Sequence, residues 1–273
     1  MVSFGVSSMF FHEYTISEIF SFVSRAGLDG MEFWLETPDF WLRNLPVPEV
    51  IASRNLHPCI TSLNVHTPIL DLNPCSINPE VAAVSVSSAV RSVSVAESLG
   101  ARTLTVHPGR RTAKRPPGEA DEDRFRTYIS ALHRATVGNH IRIAMENMEV
   151  KVNSLLCTPD RMREVLDHEP WLFFTLDTAH ALAQSEKEAL RYIDLCSDRL
   201  VNVHISRVDG HRLHLPLDQD PGIARILASL KDHHFSGSLV LEIDDLNFSR
   251  TLSADEKIAI LRRDSAFMHE CLN

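Results

Sequence analysis

Short runs of apolar and β-branched residues recur along this chain about every 30 to 40 positions, each followed by a longer stretch that carries helix-start signals. The runs are Ser3–Ser7, Gly30–Trp34, Ile60–Val65, Thr103–Val106, Ile141–Met145, Leu172–Leu176, Leu200–Ile205 and Ser238–Ile243. Between them, Thr15-x-x-Glu18 and Ser253-x-x-Glu256 read as capping boxes, in which a hydroxyl and a carboxylate each satisfy a free backbone N–H of the other. Asn78-Pro79 and Thr158-Pro159 place proline in a first helical turn, where its missing N–H has no cost. From Val81 to Glu97 valine and serine mix so evenly that helical and strand periods both fit. The length of this segment and its Asn-Pro start favour helix.

Eight β/α units predict an α/β fold of the (β/α)8 TIM-barrel type, with eight parallel strands and outer helices. The strands read as apolar on both faces, as in Leu200-Val201-Asn202-Val203-His204-Ile205, which suits parallel strands covered by helices outside and packed inside. No linker or shift of composition divides residues 1–273, so one barrel domain is expected. The length agrees, since such barrels typically run to about 250 residues.

Charge and composition narrow the partners. The chain has 27 Lys and Arg against 36 Asp and Glu, a net charge of −9, which argues against a polybasic nucleic-acid binder. No run approaches the roughly 18 apolar residues of a membrane helix, and the N-terminus lacks a charged segment before an apolar core. Five cysteines without a Cys-x-x-Cys pair read as reduced thiols, so a cytoplasmic protein with no membrane partner is expected. The absence of a Gly-x-Gly-x-x-Gly or Walker string gives no sign of a nucleotide cofactor. Fourteen histidines are the unusual entry.

In a barrel of this type the chemistry sits where strands finish, because the βα loops form the open face. Those ends carry Glu32, His66, His107, Glu146, Asp177 with His180 one turn on, His204 and Glu242. Carboxylates and imidazoles converging on one mouth would repel or stay unsatisfied without a cation. A divalent metal is the simplest compensation, and the mixed oxygen and nitrogen set admits Mn²⁺, Mg²⁺, Co²⁺, Fe²⁺ or Zn²⁺. The loop after His107 carries Arg110, Arg111, Lys114 and Arg115, which could grip a sugar phosphate, touch nucleic acid or simply be solvated. Trp34, with Glu32 nearby, and Phe10-Phe11 could wall a sugar ring. The apolar Phe10–Phe11 and Trp34–Trp41 segments are also the candidate surface for a homo-oligomer.

The strings His107-Pro108-Gly109, Glu146-Asn147, Asp177-Thr178-Ala179-His180, Val203-His204-Ile205-Ser206 and Leu241-Glu242-Ile243, in this order, resemble the xylose-isomerase-like barrel superfamily. That superfamily includes sugar isomerases, ketose 3-epimerases and the endonuclease IV group. By similarity to the epimerases, Glu146, Asp177, His204 and Glu242 would hold one divalent metal, and Glu146 and Glu242 would exchange a substrate proton through a metal-stabilised enediolate. His180 and His214 would contact the sugar or sugar phosphate. By resemblance to endonuclease IV, His66 and His107 would join Glu146 on one zinc, Asp177, His204 and Glu242 would complete a second, and His180 with His214 would lie near a third. The chain would then be a phosphodiesterase acting on abasic DNA; His66 and His107 could instead bind substrate hydroxyls. That third site departs from the family pattern, because Arg212 stands where an aspartate is expected. A barrel that binds metal or sugar without turnover is the remaining possibility.

Overall fold

The structure, a computed structural model, describes residues 2–272. Eight strands form the barrel: β1 Ser3–Val6, β2 Gly30–Trp34, β3 Ser62–His66, β4 Thr103–Val106, β5 Arg142–Glu146, β6 Phe173–Asp177, β7 Leu200–Ile205 and β10 Ser238–Leu241. Between β7 and β10 lies an added hairpin, β8 Arg207–Asp209 and β9 Arg212–Leu215. The eight barrel strands pair in parallel in the order β1-β10-β7-β6-β5-β4-β3-β2. At the seam, β1 and β2 meet through a Ser7–Glu32 bridge, the bond from Asp29 N–H to Phe4 O at 3.2 Å and the bond from Phe4 N–H to Asp29 Oδ1 at 2.7 Å. The backbones cross so closely there that a Cβ on Gly5 would lie 2.8 Å from the carbonyl carbon of Gly30.

The helix-start signals act as their chemistry requires. Glu18 N–H donates to Thr15 Oγ1 at 3.4 Å while Thr15 N–H donates to Glu18 Oε2 at 3.0 Å. Asn78 Oδ1 accepts the Glu80 N–H at 3.0 Å and opens a helix over Pro79–Ser98, so the valine-serine segment is helical. Its buried serines are tolerable because Ser85 and Ser92 donate to carbonyls four residues earlier, at 2.6 and 2.9 Å.

The inside of the barrel corrects the reading of strands as apolar on both faces. Asn64 Nδ2 donates to Asn202 Oδ1 at 3.1 Å, Asn202 Nδ2 donates to Glu32 Oε2 at 2.6 Å, and the hydroxyls of Thr105 and Thr175 lie 3.2 Å apart. These bonds join strands that are not neighbours in the sheet, so they cross the lumen. In β7, Asn202 and His204 face inward, while Val203 and Ile205 belong to the apolar layer under the helices. Polar residues can fill the lumen because they satisfy one another there, and the true pattern of β7 is alternation.

The Phe10–Phe11 segment needs a second correction. Both rings are fully buried, as is Phe40, and Trp34 is mostly buried, leaving Trp41 as the exposed aromatic of the 34–41 segment. The two rings seat a buried lysine. Lys257 Nζ donates to Phe10 O at 2.7 Å, Glu13 Oε1 at 2.6 Å and Asp245 Oδ2 at 3.0 Å, with the Phe10 ring 5.2 Å away. Phe10 and Phe11 therefore neither wall a ligand nor form an oligomer surface; they tie the loop after β1 to the loop after β10. Among the described residues no helix is long and apolar enough to cross a membrane.

The seam and the lysine each give a prediction. Gly5→Val should lower stability by about 1–3 kcal/mol through overpacking against backbone that cannot retreat, read as a lower denaturation midpoint. An unchanged midpoint would show that β1 and β2 can part freely. Lys257→Ala should cost about 2–4 kcal/mol, because it strands Glu13 and Asp245 without their cation, and a loss below about 0.5 kcal/mol would contradict that role.

Candidate metal centre

Glu146 ends β5 with its side chain almost wholly buried, and histidines from three other strand ends converge on it. His66 Nε2 and His107 Nε2 lie 3.3 and 3.1 Å from Glu146 Oε2, and His204 Nδ1 lies 3.6 Å from the same oxygen. His180 Nδ1 is 3.5 Å from the other oxygen and donates to Asn147 O at 2.9 Å. Asn147 also grips the backbone of Asp177, accepting its N–H at 2.7 Å and donating to its carbonyl at 3.0 Å. Asp177 in turn caps the short helix Thr178–Leu182, its Oδ1 accepting the His180 N–H at 2.8 Å. Two strand ends and one helix start are thereby locked together.

Three buried atoms in this cluster lack a well-directed hydrogen bond. Asp177 Oδ2, His204 Nδ1 and Glu242 Oε2 are all buried and make no hydrogen bond. Yet His204 Nδ1 lies 2.7 Å from Glu242 Oε2 and 4.0 Å from Asp177 Oδ2. A cation held at about 2.0–2.2 Å by such atoms would set them about 3–3.5 Å apart, a value between these two distances, and the carboxylate and imidazole donors suit a divalent metal. Glu146, Asp177 and His204 form one group of possible ligands, with Glu242 beside His204, while His66, His107 and Glu146 form a second and Asp177, His180 and His214 a third. The three groups share Glu146 and Asp177, so the residues singled out at strand ends lie in one continuous cluster.

Electrostatics in the metal-free cluster follow from crowding. Burial alone would lower His204, but the carboxylates of Glu32, Glu242 and Glu146 hold its imidazole well above the usual range. Burial likewise opposes charge on Glu242 and Glu146. Nevertheless the His204 and His214 charges hold Glu242 at about 2, and His107 and His204 hold Glu146 well below the carboxylate range. Asp177 goes the other way: burial, together with the repulsion of Glu242 and Glu146, raises it despite His180 and His214.

What holds His204 in place is a residue read from sequence as a substrate contact. Glu32 is fully buried beneath the cluster, its Oε1 2.8 Å from His204 Nε2 and its Oε2 bonded to Asn202. The proton on Nε2 is thus committed to Glu32, which turns Nδ1 toward Glu146, Asp177 and Glu242. Glu32 faces the barrel interior and not the mouth. Trp34 is stacked on His66 at 3.8 Å and 10°, fixing that ring. His214 is presented by the β8–β9 hairpin, with Nδ1 3.3 Å from Ser206 Oγ and 4.0 Å from Asp177 Oδ2. The hairpin's own signal was Asp209-Gly210, a turn pair whose glycine has φ of 61°. Arg212 points away and pairs with Asp209.

Two hollows open beside the cluster. A cleft of about 340 Å³ is lined by Trp34, Met9, His214, Glu242 and Leu246. A cavity of about 170 Å³ is lined by His107, His180, Arg110, Lys151 and Tyr128. Arg111 lines neither; its guanidinium donates to Pro116 O at 2.8 Å and lies 3.5 Å from Asp121.

The sequence matches the family model of the xylose isomerase-like TIM barrel over residues 20–265. The chain belongs to the xylose isomerase-like TIM barrel family. An uncharacterized protein of Methanocaldococcus jannaschii is 29% identical to it over the full length of both chains. Among solved structures, an L-ribulose 3-epimerase superimposes with a TM-score of 0.80 at 17% identity, covering 100% of this chain and 95% of that one. A D-tagatose 3-epimerase-like protein gives 0.77 at 20% identity, over 99% and 100% of the two chains. Endonuclease IV from Thermus thermophilus gives 0.69 at 19% identity, over 98% and 99%. At these identities the likeness to solved structures is one of fold.

Two outcomes are expected of this barrel family member. Binding of Zn²⁺ or Mn²⁺ should release protons and tighten as pH rises, because His204 and Asp177, both raised, must lose protons before they can ligate. Calorimetry in buffers of different ionisation enthalpy measures this, and binding without proton release would contradict it. Glu32→Gln should weaken metal binding about 10- to 100-fold through loss of the His204 orientation, and unchanged affinity would assign Glu32 to packing alone.

Proposed function

We propose that this chain is a divalent-metal-dependent isomerase or epimerase of a sugar or sugar phosphate, acting at a carbon beside a carbonyl group. The observation that carries this reading is the convergence of Asp177 Oδ2, His204 Nδ1 and Glu242 Oε2, all buried and without a well-directed hydrogen bond, with Glu146 at the edge of an open cleft. A divalent cation bound there would supply Lewis-acid polarisation of a carbonyl oxygen and its neighbouring hydroxyl. Everything else is the work of the side chains. Glu242 lines the cleft and is partly reachable, whereas Glu146 is nearly sealed, so Glu242 is the group placed to take the substrate proton and Glu146 the one to hold or return it from the other side of His204. Trp34 and Met9 give the cleft an apolar wall that keeps water from the exchanged proton, while His180 and His214 at the rim supply hydrogen bonds to hydroxyls. Return to the same carbon gives epimerisation, and return to its neighbour gives aldose–ketose isomerisation.

A second reading, an endonuclease IV-like zinc phosphodiesterase, is favoured by one specific feature. His66 and His107 both meet Glu146 Oε2, which builds a further ligand group that a one-metal proton transfer does not use. Against it stand the net charge of −9 and the diversion of Arg212 to Asp209.

Glu242→Gln should keep the folded barrel but slow solvent-deuterium incorporation into a ketose substrate by about 10²-fold or more. Undiminished exchange would remove Glu242 from the chemistry. One metal equivalent per chain accords with the isomerase reading. Two or three zinc ions with cleavage of abasic DNA would replace it, and tight sugar binding without exchange would make the barrel a binding protein.

A further inference from the structure

We propose that the cavity beside His107 and His180 holds the phosphate group of a phosphorylated sugar, with Arg110 as its recognition residue. This rests on the isomerase reading and names its substrate class as a sugar phosphate monoester.

The argument begins with how Arg110 is held. Asn73, itself buried, donates from Nδ2 to Arg110 O at 2.9 Å and accepts the Arg110 N–H on Oδ1 at 3.0 Å. From the opposite side, a bridge joins Arg110 to Ser154 in the loop after β5, and Arg111 N–H donates to Asn153 O at 3.0 Å. Gly109, with φ of 80°, lets the chain run this close: a Cβ there would sit 2.9 Å from Asn73 Oδ1. The backbone of Arg110 is therefore clamped on two sides, at the lip of a cavity of about 170 Å³.

The guanidinium is treated in the opposite way. Arg111 leans on Asp121 at 3.5 Å and Lys151 pairs with Glu149 at 2.6 Å, but among the described residues no carboxylate pairs with Arg110. A fixed backbone sets where this free, exposed guanidinium can reach, so the fold already meets the backbone part of the cost of ordering it on an external anion, and no carboxylate has to be displaced first. The cavity wall adds a buried phenol, Tyr128, whose hydroxyl makes no hydrogen bond within the described residues. Among the described residues the one carboxylate lining this cavity, Glu149, is paired with Lys151. His107 and His180 connect the cavity to Glu146, so an anion here would be the far end of a molecule whose reacting end lies on the cluster.

The test uses the metal-loaded protein and a panel of ketopentoses and ketohexoses with their terminal phosphate esters. Calorimetric affinity and solvent-deuterium exchange are measured for the native chain and for Arg110→Met. At least one phosphate ester should bind about tenfold or more tightly than its parent sugar, with the preference shrinking as salt is added. Arg110→Met should erase that preference and leave affinity for the parent sugar within about twofold. Equal affinity of esters and parent sugars, a preference that survives Arg110→Met, or no binding by any ester would each overturn the assignment. Arg110-dependent binding of an abasic duplex with none of the sugar phosphates would overturn it in favour of a nucleic-acid phosphate. Exchange on free sugars without a phosphate preference keeps the isomerase reading and sinks this one. An Arg110-dependent preference without exchange does the reverse.

Discussion

Glu146 is a buried carboxylate surrounded by His66, His107, His180 and His204, and the rest of the site is arranged around keeping that charge compensated. An uncompensated carboxylate at this depth would cost several kcal/mol, so no member of the cluster is independent of the others. The cluster also has its own shortfall. Its imidazoles satisfy Glu146 but leave atoms of Asp177, His204 and Glu242 without well-directed hydrogen bonds, and a cation is the simplest group that would answer all three. Stability and the proposed chemistry meet at the same atoms, since the arrangement that leaves those groups unsatisfied is the one that would let them hold a cation.

Support for the cluster comes from below. The polar lumen, where Glu32, Asn64, Thr105, Thr175 and Asn202 bond across the barrel, carries orientation upward to His204. An apolar filling would pack the barrel equally well and would leave the imidazole free to turn. From the sides, Asn147 and Asn73 do similar work on Asp177 and Arg110, each bonding one amide to two backbone groups of the residue it holds. The mouth then has two unlike sides. An apolar cleft runs past Trp34 to Glu242, and a cation-bearing cavity runs past His107 to Arg110.

Much of this was legible in the chain. Every barrel strand lay within two residues of its apolar run, because parallel strands buried under helices need β-branched and apolar residues wherever they occur. The strand-end residues Glu146, Asp177, His204 and Glu242 stood out because polar groups at such positions have no packing reason to be there. Asn202 and Glu32 were harder to interpret. A polar residue inside a short strand reads as a blemish in an apolar run until its partner across the barrel is known, and that partner is 170 residues away for this pair. Phe10 and Phe11 misled for a related reason: nothing local shows that Lys257, 247 residues on from Phe10, comes to rest on them.

The sequence by itself determined the eightfold β/α repeat, the helix starts and the residue types available at the mouth, because periodicity and capping act over a few neighbouring positions. Only the tertiary structure decided which atoms meet. It put Glu32 under His204 instead of on the cleft wall, and it left Arg110 free while Arg111 was engaged. It also made the lumen polar. Each of these depends on closing a barrel, which brings distant strands within hydrogen-bonding reach and commits a side chain to the inside or the outside. That closure is a long-range property which no local pattern encodes.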